Sequence, residues 1–207
     1  MSHLIRRGVL GAGTHTYLSV LSTTFRIETD PPFVFTLPTV VTLEYDIFVK
    51  PSANNNLMTI IGKTGSNVSA FFDNNASSDP VFEMPFSNTL GTSVTATGFG
   101  DLRGKGSKNI ESTIGTGGLM TVKINGVLEG SVSGSSQTAT TLHSLFWRNN
   151  ITSAHFNPNI LIRNLKVTTS GGTTINMPLN DNFSNTGSTA LGTITGVEGV
   201  DYEFIEA

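Results

Sequence analysis

The chain contains no cysteine, so neither disulfides nor a thiolate metal centre can hold it together, and its fold must rest on an apolar core. Charge is scarce as well: 13% of residues are Asp, Glu, Lys or Arg, and the formal net charge is -3. A nucleic-acid binder needs a basic face that displaces counterions, and none is present. The one basic cluster, LRGKGSK from Leu102 to Lys108, reads as a solvated Gly-rich loop. No apolar run approaches the roughly 20 residues that cross a bilayer, which argues against membrane insertion. Arg6 and Arg7 precede an apolar stretch that Gly, Thr and His interrupt before it reaches signal-peptide length, so no export signal is read. Helical periodicity is also missing, which leaves β-structure as the fold class.

Short β-rich runs bounded by Gly, Asn, Pro or Ser recur along the chain instead. They are TTFRIET, FVFTL, VVTLEYDIFVK, LMTIIGK, SAFFD, SVTATGF, LMTVKING, VLEGSVS, TTLHSLFWR, ILIRNLKVTT, TTINMPL and YEFIE. So many strands in one domain of 207 residues bury their alternating faces most simply as two packed antiparallel sheets. In VVTLEYDIFVK, Val41, Leu43, Tyr45, Ile47 and Val49 share one face, and Thr42, Glu44, Asp46 and Phe48 the other. Leu119 to Ile124 and Val127 to Val132 flank Asn125-Gly126, the pair that most readily forms a two-residue hairpin turn. Further on, Ile160, Ile162, Asn164 and Lys166 alternate with Leu161, Arg163, Leu165 and Val167. Gly171-Gly172 then turns the chain, and Pro178, which cannot donate to a ladder, marks a strand end or sheet edge. Residues 1–24 lack alternation and read as an N-terminal docking arm, with the β-sandwich domain spanning 25–207.

Few motifs carry chemistry. Gly62-Lys63-Thr64 ends like a phosphate-binding loop, but Leu57 stands where the first Gly is required and no helix pattern follows. His3, His15, His143 and His155 have no spacing that pairs them on one face, and no G-x-S-x-G elbow occurs. Asp73, Asn74, Asn75 and Asp79, and Asn180, Asp181, Asn182 and Asn185, cluster oxygens that calcium uses; the same residues also build Asx turns between strands. The single tryptophan, Trp147, stands beside Arg148, Asn149 and Asn150. An indole face with neighbouring amides can stack on a sugar ring and take its hydroxyls, while a lone Trp in a sandwich also serves as core or subunit contact.

Taken together, GLMTVKINGVLEGSVSG, SLFWRNN and ILIRNLKVTTSGGTTINMPLND resemble the concanavalin A-like jelly roll, especially the laminin-G or pentraxin-like domains of bacteriophage structural proteins. Ile162, Asn164, Leu165 and Val167 match one strand of that family, and Pro178, Leu179 and Asp181 its closing element. The metal-binding pattern of legume lectins is absent. Glu44 and Asp46 begin the E-x-D-x-E or E-x-D-x-x-E signature of jelly-roll glucanases, but Phe48 and Val49 occupy the positions of the second Glu, which removes the proton donor of a double displacement. The resemblance therefore implies a two-sheet antiparallel β-sandwich that attaches rather than catalyses. Its setting would be a phage virion, as a tail fibre, tail tip or capsid-decorating component assembled in the host cytoplasm. Its partners would be other virion subunits and copies of itself, a trimer included. The alternative is a module that binds host glycans through Trp147, Arg148, Asn149 and Asn150; glycoside hydrolysis stands behind both. No cofactor is expected beyond the calcium weighed above.

Overall fold

A computed structural model describes residues 15–35, 40–51, 56–62, 69–74, 79–85, 91–115, 117–133, 140–146, 157–170 and 172–207. These residues form fifteen strands and no helix, arranged as two antiparallel sheets. One sheet has the order β10 (Val127–Ser133), β9 (Leu119–Ile124), β8 (Lys108–Ile114), β3 (Val41–Val49), β12 (Ile160–Thr169), β1 (Thr16–Val20) and β15 (Tyr202–Glu206). An eighth strand, β13 (Gly172–Met177), shares the β1 side of β12, pairing from Leu165↔Met177 to Thr169↔Gly172. The other sheet runs β14 (Leu191–Thr195), β2 (Arg26–Phe35), β11 (Thr140–Leu145), β4 (Asn56–Gly62), β5 (Ser69–Asn74), β6 (Val81–Pro85) and β7 (Gly91–Thr95).

Alternation explains the stacking. Strand β3 is buried at every odd position from Val41 to Val49 and half-buried between them, so one face enters the core and the other looks outward. From the facing sheet, Met58, Ile60, Phe72, Phe82 and Met84 close the same core. Each such side chain contributes about 1.5–3 kcal/mol by leaving water, and the core extends across the two sheets. The hairpin of β9 and β10 turns at Asn125 (φ 52°) and Gly126 (φ 80°), both left-handed, as an Asn-Gly pair permits without strain.

The structure differs from the sequence expectations at three places. Residues 15–24 do not stand off as an arm: β1 lies between β12 and β15, with Leu18 and Val20 in the core and Tyr17 and Ser19 buried on the other face. Burial of both faces erases alternation, which is why the strand was not legible; residues 1–14 lie outside the described residues. Second, β12 carries a bulge between Arg163 and Lys166, where Asn164 adopts φ 53°. The extra residue moves Leu165 and Val167 onto the core face with Ile160 and Ile162, in place of Asn164 and Lys166. Third, residues 26–29 of TTFRIET and 33–35 of FVFTL lie in one strand, β2, whose pairing with β11 shifts between Leu142 and Ser144, opposite the Pro31-Pro32 pair. Strands β6, β8 and β14 also form without having been anticipated.

Candidate recognition faces

Each sheet turns one face outward, and both faces hold polar side chains placed by strand register. On the seven-stranded sheet, Thr59 pairs with Phe71, Phe71 with Glu83, and Glu83 with Ser93, one continuous row across four strands. Met58 and Ile60 enter the core on either side of Thr59, so its hydroxyl lies on the outward side. Yet Thr59 is only 1% exposed, and among the described residues its Oγ1 has no hydrogen-bond partner. Asp73 is the diagonal neighbour of both Thr59 and Glu83, at a spacing of roughly 7–8 Å. Burial pushes the Asp73 carboxyl above its ordinary value. Arg26 and Glu28 pair at 3.0 Å elsewhere on this sheet.

Strand β11 ends at Leu145, and the Phe146 N–H donates to the Ile60 carbonyl at 3.0 Å, next along β4 from Thr59. Phe146 adopts φ 63°, a left-handed backbone that costs a bulky residue roughly 1–2 kcal/mol. The sugar contacts expected from the sequence, Trp147, Arg148, Asn149 and Asn150, follow it directly and lie outside the described residues. So do His3, His155, Lys63, Thr64 and Asn75.

On the eight-stranded sheet the outward residues form cross-strand ladders. Thr168, Thr42, Thr113 and Thr121 make one row, with the Thr42 and Thr113 hydroxyls 3.0 Å apart. Lys166, Glu44, Glu111 and Lys123 make the next, tied at its ends by Lys166–Glu44 (3.9 Å) and Lys123–Glu111 (2.8 Å). In the third, Asp46 lies between Arg163 and Asn109. Its carboxylate accepts from Asn109 Nδ2 (3.0 Å), Arg163 Nε (3.1 Å) and Asn164 Nδ2 (2.7 Å). Glu44 and Asp46, weighed as the start of a hydrolase signature, are thus both engaged by cations on their own sheet face.

The Asp and Asn clusters serve the loops. Asp79 accepts from the Gly98 and Gly100 N–H groups (2.8 and 2.6 Å), which hold its carboxyl below the ordinary range. Asn182 Oδ1 accepts from Ser184 N, and Asn185 Oδ1 from Asn176 N and Gly187 N, so these oxygens cap their own backbone. Among the described residues no three Asp, Glu or His side chains converge as a metal site. In the LRGKGSK loop Arg103 pairs with Asp101, while Lys105 and Lys108 donate to the Phe99 and Lys105 carbonyls. Sequence reasoning had not singled out Thr59, Arg163 or Asn109; the one available signal was Asn164, a residue type that tolerates the left-handed backbone of a bulge.

No family profile matches the sequence, and no curated protein aligns with it. Comparison with solved structures does find matches. A heptameric SAP-like pentraxin from Limulus polyphemus matches with a TM-score of 0.51 at 10% identity, covering 87% of this chain and 95% of the pentraxin. The binding domain of botulinum neurotoxin serotype C1 matches with a TM-score of 0.40 at 16% identity, covering 75% of this chain and 42% of the toxin chain. The CBM40 of Ruminococcus gnavus IT-sialidase, solved with α2,3-sialyllactose, matches with a TM-score of 0.35 at 13% identity, covering 66% and 76%. None of these likenesses points to a virion. At 10% identity the pentraxin likeness speaks for the fold alone, an all-β, two-sheet antiparallel sandwich of jelly-roll type.

Proposed function

We propose that the protein is a carbohydrate-recognition module whose ligand lies on the outward face of the seven-stranded sheet, beside Thr59 and Asp73. The observation that carries this reading is the Thr59 hydroxyl, buried without a partner among the described residues. A hydroxyl removed from water and left unpaired costs about 1–3 kcal/mol, and a sugar hydroxyl, donor and acceptor at once, offsets that cost. The strained Phe146 supports it, because backbone strain concentrates where a chain is held for binding. The proposal includes Trp147, Arg148, Asn149 and Asn150, next in sequence, as contacts to the sugar. Among the described residues Glu28, Asp73 and Glu83 outnumber Arg26 on this sheet's outward side, which favours a neutral sugar over an anionic one.

Binding rather than turnover is the function proposed, since Asp46 is held by three donors and Phe48 and Val49 stand where the second Glu of the hydrolase signature would be. Attachment at a virion or host surface, as a homo-oligomer, is one setting for such a module and rests on the sequence resemblance. Calorimetry and thermal shift with a panel of neutral oligosaccharides test the proposal. One of them is expected to raise the melting temperature by mass action, and Thr59→Val and Trp147→Ala are expected to abolish that rise. A panel that leaves the melting temperature unchanged, or binding that survives Thr59→Val, would sink it.

A further inference from the structure

The outward face of the eight-stranded sheet holds a second constellation, which does not depend on the reading above. We propose that Arg163 anchors a binding site there for a carboxylated sugar residue. The bulge in β12 sets the geometry of this site. The extra residue puts Asn164 into a left-handed backbone, ties its N–H to the Pro178 carbonyl at 2.8 Å and turns its side-chain amide onto Asp46. Asp46, with three donors, fixes the Arg163 guanidinium through Nε alone. The guanidinium carbon also lies 5.0 Å from the centroid of the buried Tyr17 ring, which restrains the guanidinium on that side. The Arg163 side chain keeps only 18% of its exposure, and among the described residues its terminal nitrogens make no hydrogen bond.

A half-buried guanidinium whose position is already set, with four N–H donors unspent, is built to receive a planar carboxylate through two parallel hydrogen bonds. Its surroundings decide what carries that carboxylate. The amide oxygens of Asn164 and Asn109 are left over after both NH2 groups donate to Asp46, and they can accept from hydroxyls. Phe48, on the outward side of β3 and 6.1 Å from Tyr17, supplies an apolar ring for a C–H face. A fork for a carboxylate, acceptors for hydroxyls and an aromatic ring together match an acidic sugar; a bare phosphate or sulfate would use only the first.

The test titrates the full chain with a uronic-acid trisaccharide, its carboxyl-reduced neutral counterpart and inorganic sulfate, following heat. Arg163→Lys keeps the charge but loses the fork, and is expected to weaken uronate binding roughly 10- to 100-fold. Asn164→Gly preserves the left-handed backbone, removes the amide and is expected to weaken it severalfold. Thr59→Val, on the opposite sheet, should leave uronate binding unchanged, which separates this site from the neutral-sugar face. The inference is overturned if the uronate does not bind, if Arg163→Lys binds it like the wild type with an unchanged melt, or if sulfate competes with equal affinity.

Discussion

Replacing Thr59 by Val should make the protein more stable and less able to bind. Thr59 is a β-branched residue in the middle of β4, and Val is β-branched too, so strand preference changes little. What changes is one hydroxyl, almost wholly withdrawn from water and unpaired, exchanged for a methyl of similar size. Removing the desolvated group recovers most of its cost of about 1–3 kcal/mol, and the extra methyl adds a little apolar burial, giving a net gain of about 1–2 kcal/mol. At roughly 2.1 cal/mol/K of unfolding entropy per residue, a domain of 207 residues converts that into a rise of about 2–5 °C. Differential scanning calorimetry without ligand reads it directly. Thr59→Ser keeps the hydroxyl, loses the methyl and should melt below the wild type. If Thr59→Val melts below the wild type as well, the hydroxyl has a partner in solution, and the argument for this face as a recognition site fails with it.

Other perturbations probe other parts of the fold. Burial raises the Asp73 carboxyl, so the folded chain holds that proton more tightly than the unfolded chain. Its contribution is present below the ordinary carboxylate value and lost as pH rises through the elevated one; Asp73→Asn should therefore raise the urea midpoint at pH 7 and leave it unchanged near pH 3. Asp79 has the opposite sign, because its two backbone donors lower it: its contribution is present above the ordinary value and lost as pH falls through the lowered one. Asp79→Ala should accordingly lower the midpoint at pH 7 and matter progressively less in acid. At Gly187 a Cβ would lie 2.3 Å from the Thr174 carbonyl oxygen, a backbone atom that cannot give way. Gly187→Ala is expected to cost about 1–3 kcal/mol, and hydrogen exchange should show the loss first along β13; a variant that melts like the wild type would contradict the close approach.

Sequence legibility followed burial. Strand β3 has one buried and one half-exposed face, and the hairpin of β9 and β10 has an Asn-Gly pair that specifies its turn, so both could be read residue by residue. Strand β1 could not, because Tyr17, Leu18, Ser19 and Val20 are all buried and no alternation survives. Strand β8 failed for a different reason: its core-side positions are Ile110, Ser112 and Ile114, and a buried Ser in the middle breaks the apolar count. The recognition residues were hidden because nothing local marks them. Thr59 is one Thr among many, and only its burial between Met58 and Ile60 without a partner distinguishes it.

The stretch from Ile160 to Val167 shows how one residue can redirect both core and surface. Strict alternation would place Asn164 and Lys166 with Ile160 and Ile162, burying an amide and an ammonium; the apolar Leu165 and Val167 would then face water. Desolvating an unpaired ammonium costs several kcal/mol, far more than the roughly 1–2 kcal/mol of a left-handed residue. The bulge is the cheaper solution, and Asn tolerates it better than its neighbours Arg163 and Leu165 would. Leu165 and Val167 thereby enter the core, while Arg163 and Asn164, adjacent in sequence, both reach Asp46 from the outward side. Adjacent residues of a regular strand point to opposite faces and could not do this. The same departure from alternation that completes the core therefore brings a guanidinium and an amide together on the surface, where the carboxylated sugar proposed above would meet both.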